Sequence, residues 1–78
     1  MKFRVITVEA VLASDGWPQP LTLRWQGETL TVTEIGRRWQ ADNGLHVLVR
    51  VTDGRVFELH TNGTLWRAQA LAAPPHVV

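Results

Sequence analysis

The sequence predicts an all-β fold, either a small SH3-like barrel or a strongly bent antiparallel meander of five to six strands. Three observations predict it. Val, Ile and Thr supply twenty of the 78 residues, and they fall in short runs separated by glycine-containing turns. No window carries an apolar stripe at helical spacing. Leu30 and Val32 share one strand face while Ile35 and Trp39 have the opposite parity. A bulge or sharp bend near Thr33-Glu34 would bring all four into one core, and Gly36 just beyond suits a barrel corner.

Taken in order, residues 3–12 read as a first strand. The following Asp15-Gly16-Trp17-Pro18-Gln19-Pro20 reads as a loop, because its prolines forbid regular pairing. Five strands are then expected over 20–26, 29–39, 45–51, 55–61 and 64–71. Turn chemistry sets their registers. Gly27-Glu28 as a two-residue loop pairs Trp25 with Leu30 and Leu23 with Val32. Asp42-Asn43-Gly44 as a glycine-bulge loop sets Trp39 opposite Val47 and Ile35 opposite Val51, and leaves Arg37 at core parity opposite Val49. Thr52-Asp53-Gly54, of the same kind, pairs Val49 with Phe57 and Val47 with Leu59. Asn62-Gly63 as a tight type I′ loop sets Leu59 against Trp66 and Phe57 against Ala68, with Glu58 and Arg67 paired outside. The expected core is Leu21, Leu23, Trp25, Leu30, Val32, Ile35, Trp39, Val47, Val49, Val51, Phe57, Leu59, Trp66 and Ala68, helped by the stretch from Val5 to Leu12.

The size, 8.8 kDa, allows one domain over residues 1–71, with an uncharged, proline-broken tail over 72–78 that is expected to fray. Cysteine is absent. That excludes disulfides, thiolate metal sites and cysteine nucleophiles, and favours a reducing cytoplasm. No apolar run approaches the length of a helical membrane span, and Arg4 and Glu9 interrupt the apolar start that could pass for a signal peptide, so no membrane association is expected. Net charge is +1, with seven of the eight Lys and Arg residues being arginine, so no strong field steers the chain toward polyanions.

Catalysis is not expected. His46, His60 and His76 lie on separate strands and the tail with no carboxylate at metal-ligand spacing. Ser14, the single serine, has neither a nucleophile elbow nor a phosphate-cradling loop around it. No cofactor follows from any motif.

The segments Pro20-Leu21-Thr22-Leu23-Arg24-Trp25-Gln26-Gly27, Val32-Thr33-Glu34-Ile35, Trp39, Val51-Thr52-Asp53-Gly54, Phe57-Glu58-Leu59 and Trp66 resemble a small uncharacterised bacterial family. Its members occur alone or at the C-terminus of proteins related to Y-family translesion polymerases, including the catalytically inactive polymerase-like partner of mutagenesis cassettes. His46-Val47-Leu48 departs from the family, where aromatic residues are more usual. The resemblance implies a DNA repair or replication context and no activity.

Binding candidates remain. With these registers Arg38, Gln40, His46, Leu48 and Arg50 project together from two neighbouring strands. Such a mixture of cations, an imidazole and one apolar side chain suits phosphate contacts or a protein interface. Trp17, between Gly16 and Pro18, is either a plug closing one barrel end or an exposed aromatic for stacking or docking. The expected function is a non-catalytic adaptor docking a protein partner, and the resemblance implies a polymerase-related one. The alternative is a single-stranded nucleic-acid module in which Arg24, Arg38 and Arg50 hold phosphate while Trp17 or His46 stacks on a base.

Overall fold

A computed structural model describes residues 3–71; the tail 72–78, expected to fray, lies outside them. No helix is present among the described residues. Seven strands run in chain order: β1 Arg4–Ile6, β2 Val8–Leu12, β3 Pro18–Trp25, β4 Glu28–Ala41, β5 Gly44–Val51, β6 Val56–Thr61 and β7 Trp66–Ala70. All neighbours are antiparallel, in the sheet order β1-β7-β6-β5-β4-β3-β2. The expected first strand is therefore two. The chain leaves β7 after Ile6, Thr7 gives its carbonyl to the Arg24 N–H at 2.9 Å, and β2 continues along β3. One short segment thus reaches both edges of a curled sheet.

The β5–β6 register is the expected one, with Val49 opposite Phe57 and Val47 opposite Leu59. Gly54 takes φ 93°, and its N–H bonds the Val51 carbonyl at 2.9 Å. Three other registers differ. Between β3 and β4 the loop is Gln26-Gly27, both at positive φ (49° and 83°) as a type I′ turn requires, so Trp25 faces Glu28 and Leu23 faces Leu30. Between β6 and β7 the Asn62 side chain accepts from the Thr64 and Leu65 N–H groups at 2.9 and 3.0 Å, which widens the loop. Thr61 then faces Trp66, Leu59 faces Ala68 and Glu58 faces Gln69. Both slips move the partner by an even number of residues, so every side chain keeps its side of the sheet.

The β4–β5 register differs by an odd step. Ala41 faces Gly44 across Asp42-Asn43, which puts Trp39 opposite His46 rather than Val47. Two irregularities interrupt β4, one between Val32 and Glu34 and one between Ile35 and Arg38. The first, at the expected place, returns Ile35 to the core side opposite Val49. The second turns Trp39 outward and leaves Arg37 exposed and unpaired with β5, its guanidinium 5.2 Å from the Trp39 ring centroid.

Leu23, Trp25, Leu30, Val47, Val49, Val51, Phe57, Leu59 and Ala68 form the buried core, with Ile6, Val8, Val32, Ile35 and Trp66 packed against it. Trp25 meets Phe57 edge-on at 5.1 Å. Expected core members Leu21 and Trp39 are not in it. Leu21 is 40% exposed because the β2–β3 ladder passes from Thr22 to Pro20 without it, leaving it the bulged residue.

Candidate functional site

The expected face does not hold together as one surface. Cross-strand partners share a side of the sheet, so Arg38 opposite Val47 and Gln40 opposite Leu45 lie on the core side at one end. His46, Leu48 and Arg50 alternate with buried Val47, Val49 and Val51 and lie on the outer side. Arg24, exposed on β3 opposite Thr29, alternates with buried Leu23 and Trp25 and so lies on the outer side, two strands from β5.

His46, expected to project with the binding face, is 7% exposed. The outer side carries a second small cluster that covers it. Trp39 stacks on His46 with centroids 5.1 Å apart and 9° between planes. His60 lies 4.7 Å away on the neighbouring strand, and Phe3 meets both rings edge-on at 6.4 and 6.2 Å. Three of the imidazole nitrogens have partners. His46 Nδ1 lies 2.9 Å from Glu58 Oε2, His46 Nε2 lies 2.9 Å from Asn43 Oδ1, and His60 Nε2 lies 2.7 Å from the Asn43 carbonyl. With both ring nitrogens of His46 occupied, this cluster ties the β4–β5 hairpin to β6. Among the described residues no three His, Cys, Asp or Glu side chains gather as metal ligands. The β5–β6 register made His46 and His60 direct neighbours, which was the available signal for this pair.

Leu48 and Arg50 border a different feature. The second irregularity in β4 leaves Gly36 beside Leu48, where a Cβ on Gly36 would make ordinary contacts, 3.6 Å from the Leu48 carbonyl oxygen and 3.8 Å from its Cβ. The result is a notch of about 270 Å³ lined by Ile35, Gly36, Leu48 and Val56, with Glu34 and Arg50 at its margin. Arg50 Nε donates to Glu34 Oε1 at 3.1 Å, so the rim charges answer each other.

At the end where Arg38 lies, Trp17 is half-buried beside Pro18, Leu45 and Trp66, nearer to the plug than to the free aromatic. The Arg38 guanidinium sits 5.1 Å from the Trp17 ring and bonds Asp15 at 3.1 Å. The Trp17 N–H donates to Asp15 Oδ1 at 3.0 Å. That N–H first, and Arg38 after it, hold the Asp15 carboxyl below its usual range. Arg55 is likewise answered, by Asp53 at 2.7 Å and Glu28 at 3.1 Å. Beside Trp17 opens a groove of about 540 Å³ between β2 and the tips of the β4–β5 and β6–β7 hairpins.

No family model, curated protein or solved structure matches the chain.

Proposed function

We propose that the domain is a non-catalytic adaptor that docks a protein partner through the notch over Leu48, in a DNA repair or replication setting. The observation that carries this reading is the notch itself, whose outer-side apolar residues Leu48 and Val56 lie beside the Arg50–Glu34 pair. An apolar centre with a polar margin is the usual anatomy of a protein interface. The repair setting rests on the resemblance described above, and polymerase-related proteins are the partners it suggests.

Direct nucleic-acid binding is the second reading. Its support is Arg37 lying against Trp39, and Arg24, which forms no ion pair among the described residues. Against it, two of the arginines expected to hold phosphate, Arg38 and Arg50, already hold carboxylates. Each would have to give up an ion pair to contact a backbone phosphate.

Pull-down of a Y-family-related polymerase-like protein tests the adaptor reading. Leu48→Asp should abolish capture by placing a charge in the notch. Gly36→Ala, whose new methyl makes only ordinary contacts, should preserve folding and weaken capture by partly filling the notch. Undiminished capture by both variants, each checked for folding by circular dichroism, would reject the notch.

A further inference from the structure

The groove at the Trp17 end shares no lining residue with the Leu48 notch. Its most specific wall is the free edge of β2, the last strand in the sheet order. On β3 the partners of Ala10 and Leu12 are Pro20 and Pro18, with Val11 opposite Gln19 between them. Proline has no N–H, so neither proline pair can exchange the two hydrogen bonds of a closely bonded antiparallel pair. The bonded pairs are the alternate ones. The loop agrees in phase, since the Ala13 N–H donates to the Trp17 carbonyl at 2.8 Å. Ala10 and Leu12 therefore aim their own N–H and C=O groups away from β3, as two donor–acceptor pairs spaced two residues apart along an edge that pairs with no further strand among the described residues.

Those groups face a place where, among the described residues, the sheet has no strand. β1 pairs with β7 only as far as Ile6 opposite Trp66, and the chain then crosses to β3. Beyond Trp66 the space between β2 and the β6–β7 loop is the groove of about 540 Å³. Leu12, Pro18, Leu45 and Trp66 line it together with the amides Gln40 and Asn62, and among the described residues its wall has no Asp, Glu, Lys or Arg. Val11 and Leu12 along the edge are 50% and 75% exposed.

We propose that this groove takes one extended, uncharged peptide segment of a partner protein by strand addition to β2. The segment's main chain would pair with Ala10 and Leu12, and its alternate apolar side chains would enter between Leu12, Leu45 and Trp66. Row spacing selects an extended main chain over a helix or small molecule, and the neutral wall selects apolar inward side chains.

The test uses the capped peptide Ac-Thr-Val-Thr-Leu-Thr-Val-Thr-NH2 and an analogue N-methylated at alternate amides on the β2-facing side, titrated into isotope-labelled protein. In the free protein the Ala10 and Leu12 amides should exchange at least about tenfold faster than those of Val11 and Ala13. The plain peptide should bind with a Kd of about 1 mM or tighter and protect both amides. N-methylation should weaken binding about tenfold or more by removing edge hydrogen bonds. Leu12→Lys should lose binding while folding and capture through the Leu48 notch persist, which separates this claim from the adaptor reading. Prior protection of both amides, equal binding of the N-methylated analogue, no binding at several times the expected Kd, or protein dimers that occupy the β2 edge would each overturn it.

Discussion

Trp25 and Trp39 lie on opposite sides of the same sheet, and the difference has an energetic consequence. Trp25 is buried in the core against Phe57. Trp39 is half-buried on the outer side, stacked on His46, after a two-residue irregularity that includes Gly36 and Arg37. Removal of Trp25 should cost about 3–5 kcal/mol, comparable with the whole stability of so small a domain. Trp39→Ala should cost about 1–2 kcal/mol, the worth of one stacked pair and partial burial. Urea midpoints of the two variants measure the difference. Equal losses would mean that Trp39 belongs to the core and that β4 has a single bulge. The parity of Trp39 was misread because one bulge was enough to explain Ile35, and Gly36-Arg37 carries no turn signal that separates a corner from a second bulge.

At the level of elements, loop length decided what could be foreseen. Thr52-Asp53-Gly54 admits one loop that keeps Val49 and Val47 on the core side, so its register was legible. Gln26-Gly27 and Asn62-Gly63 were harder for different reasons. A glutamine rarely takes positive φ, so the turn one residue earlier was not favoured. The Asn62 side chain substitutes for a backbone acceptor to hold a wider loop. Both slips preserved the core list, which is why most buried residues were identified while their cross-strand partners were not. The Asp42-Asn43 loop was missed by the odd step that buried His46, and with it the outer cluster. Gly44 makes that loop testable. It stands at φ 129° with Asn62 Cα 3.1 Å from where its Cβ would lie, and the Thr61 carbonyl oxygen closer still. Gly44→Ala should therefore destabilise by about 2 kcal/mol or more, the backbone penalty plus displacement of Thr61. Gly54→Ala, at φ 93° with open space around it, should show the backbone penalty alone, about 1 kcal/mol. Equal effects would mean that the hairpin tips do not approach as described.

For the whole molecule, the distribution of charge bears most directly on function. The chain carries +1 overall, and Arg38, Arg50 and Arg55 each lie in an ion pair with a neighbouring carboxylate. Apolar openings, by contrast, occur at the Leu48 notch and at the β2 edge. Surface pairs of this kind add little stability. Their relevance here is that they lower the density of unanswered positive charge that would draw a polyanion. The fold class was legible from β-favouring runs and turns, whereas the two openings arise from a bulge and from a strand that changes partner, neither of which leaves a periodic pattern. A salt titration of binding to a single-stranded oligonucleotide tests the protein-docking account most directly. The account predicts no binding tighter than about 10⁻⁴ M near physiological salt, the level of weak non-specific association. Micromolar or tighter binding whose logarithmic salt slope is near −0.7 per phosphate contact, and which flattens by about two contacts in the Arg38→Gln, Arg50→Gln double variant, would contradict it.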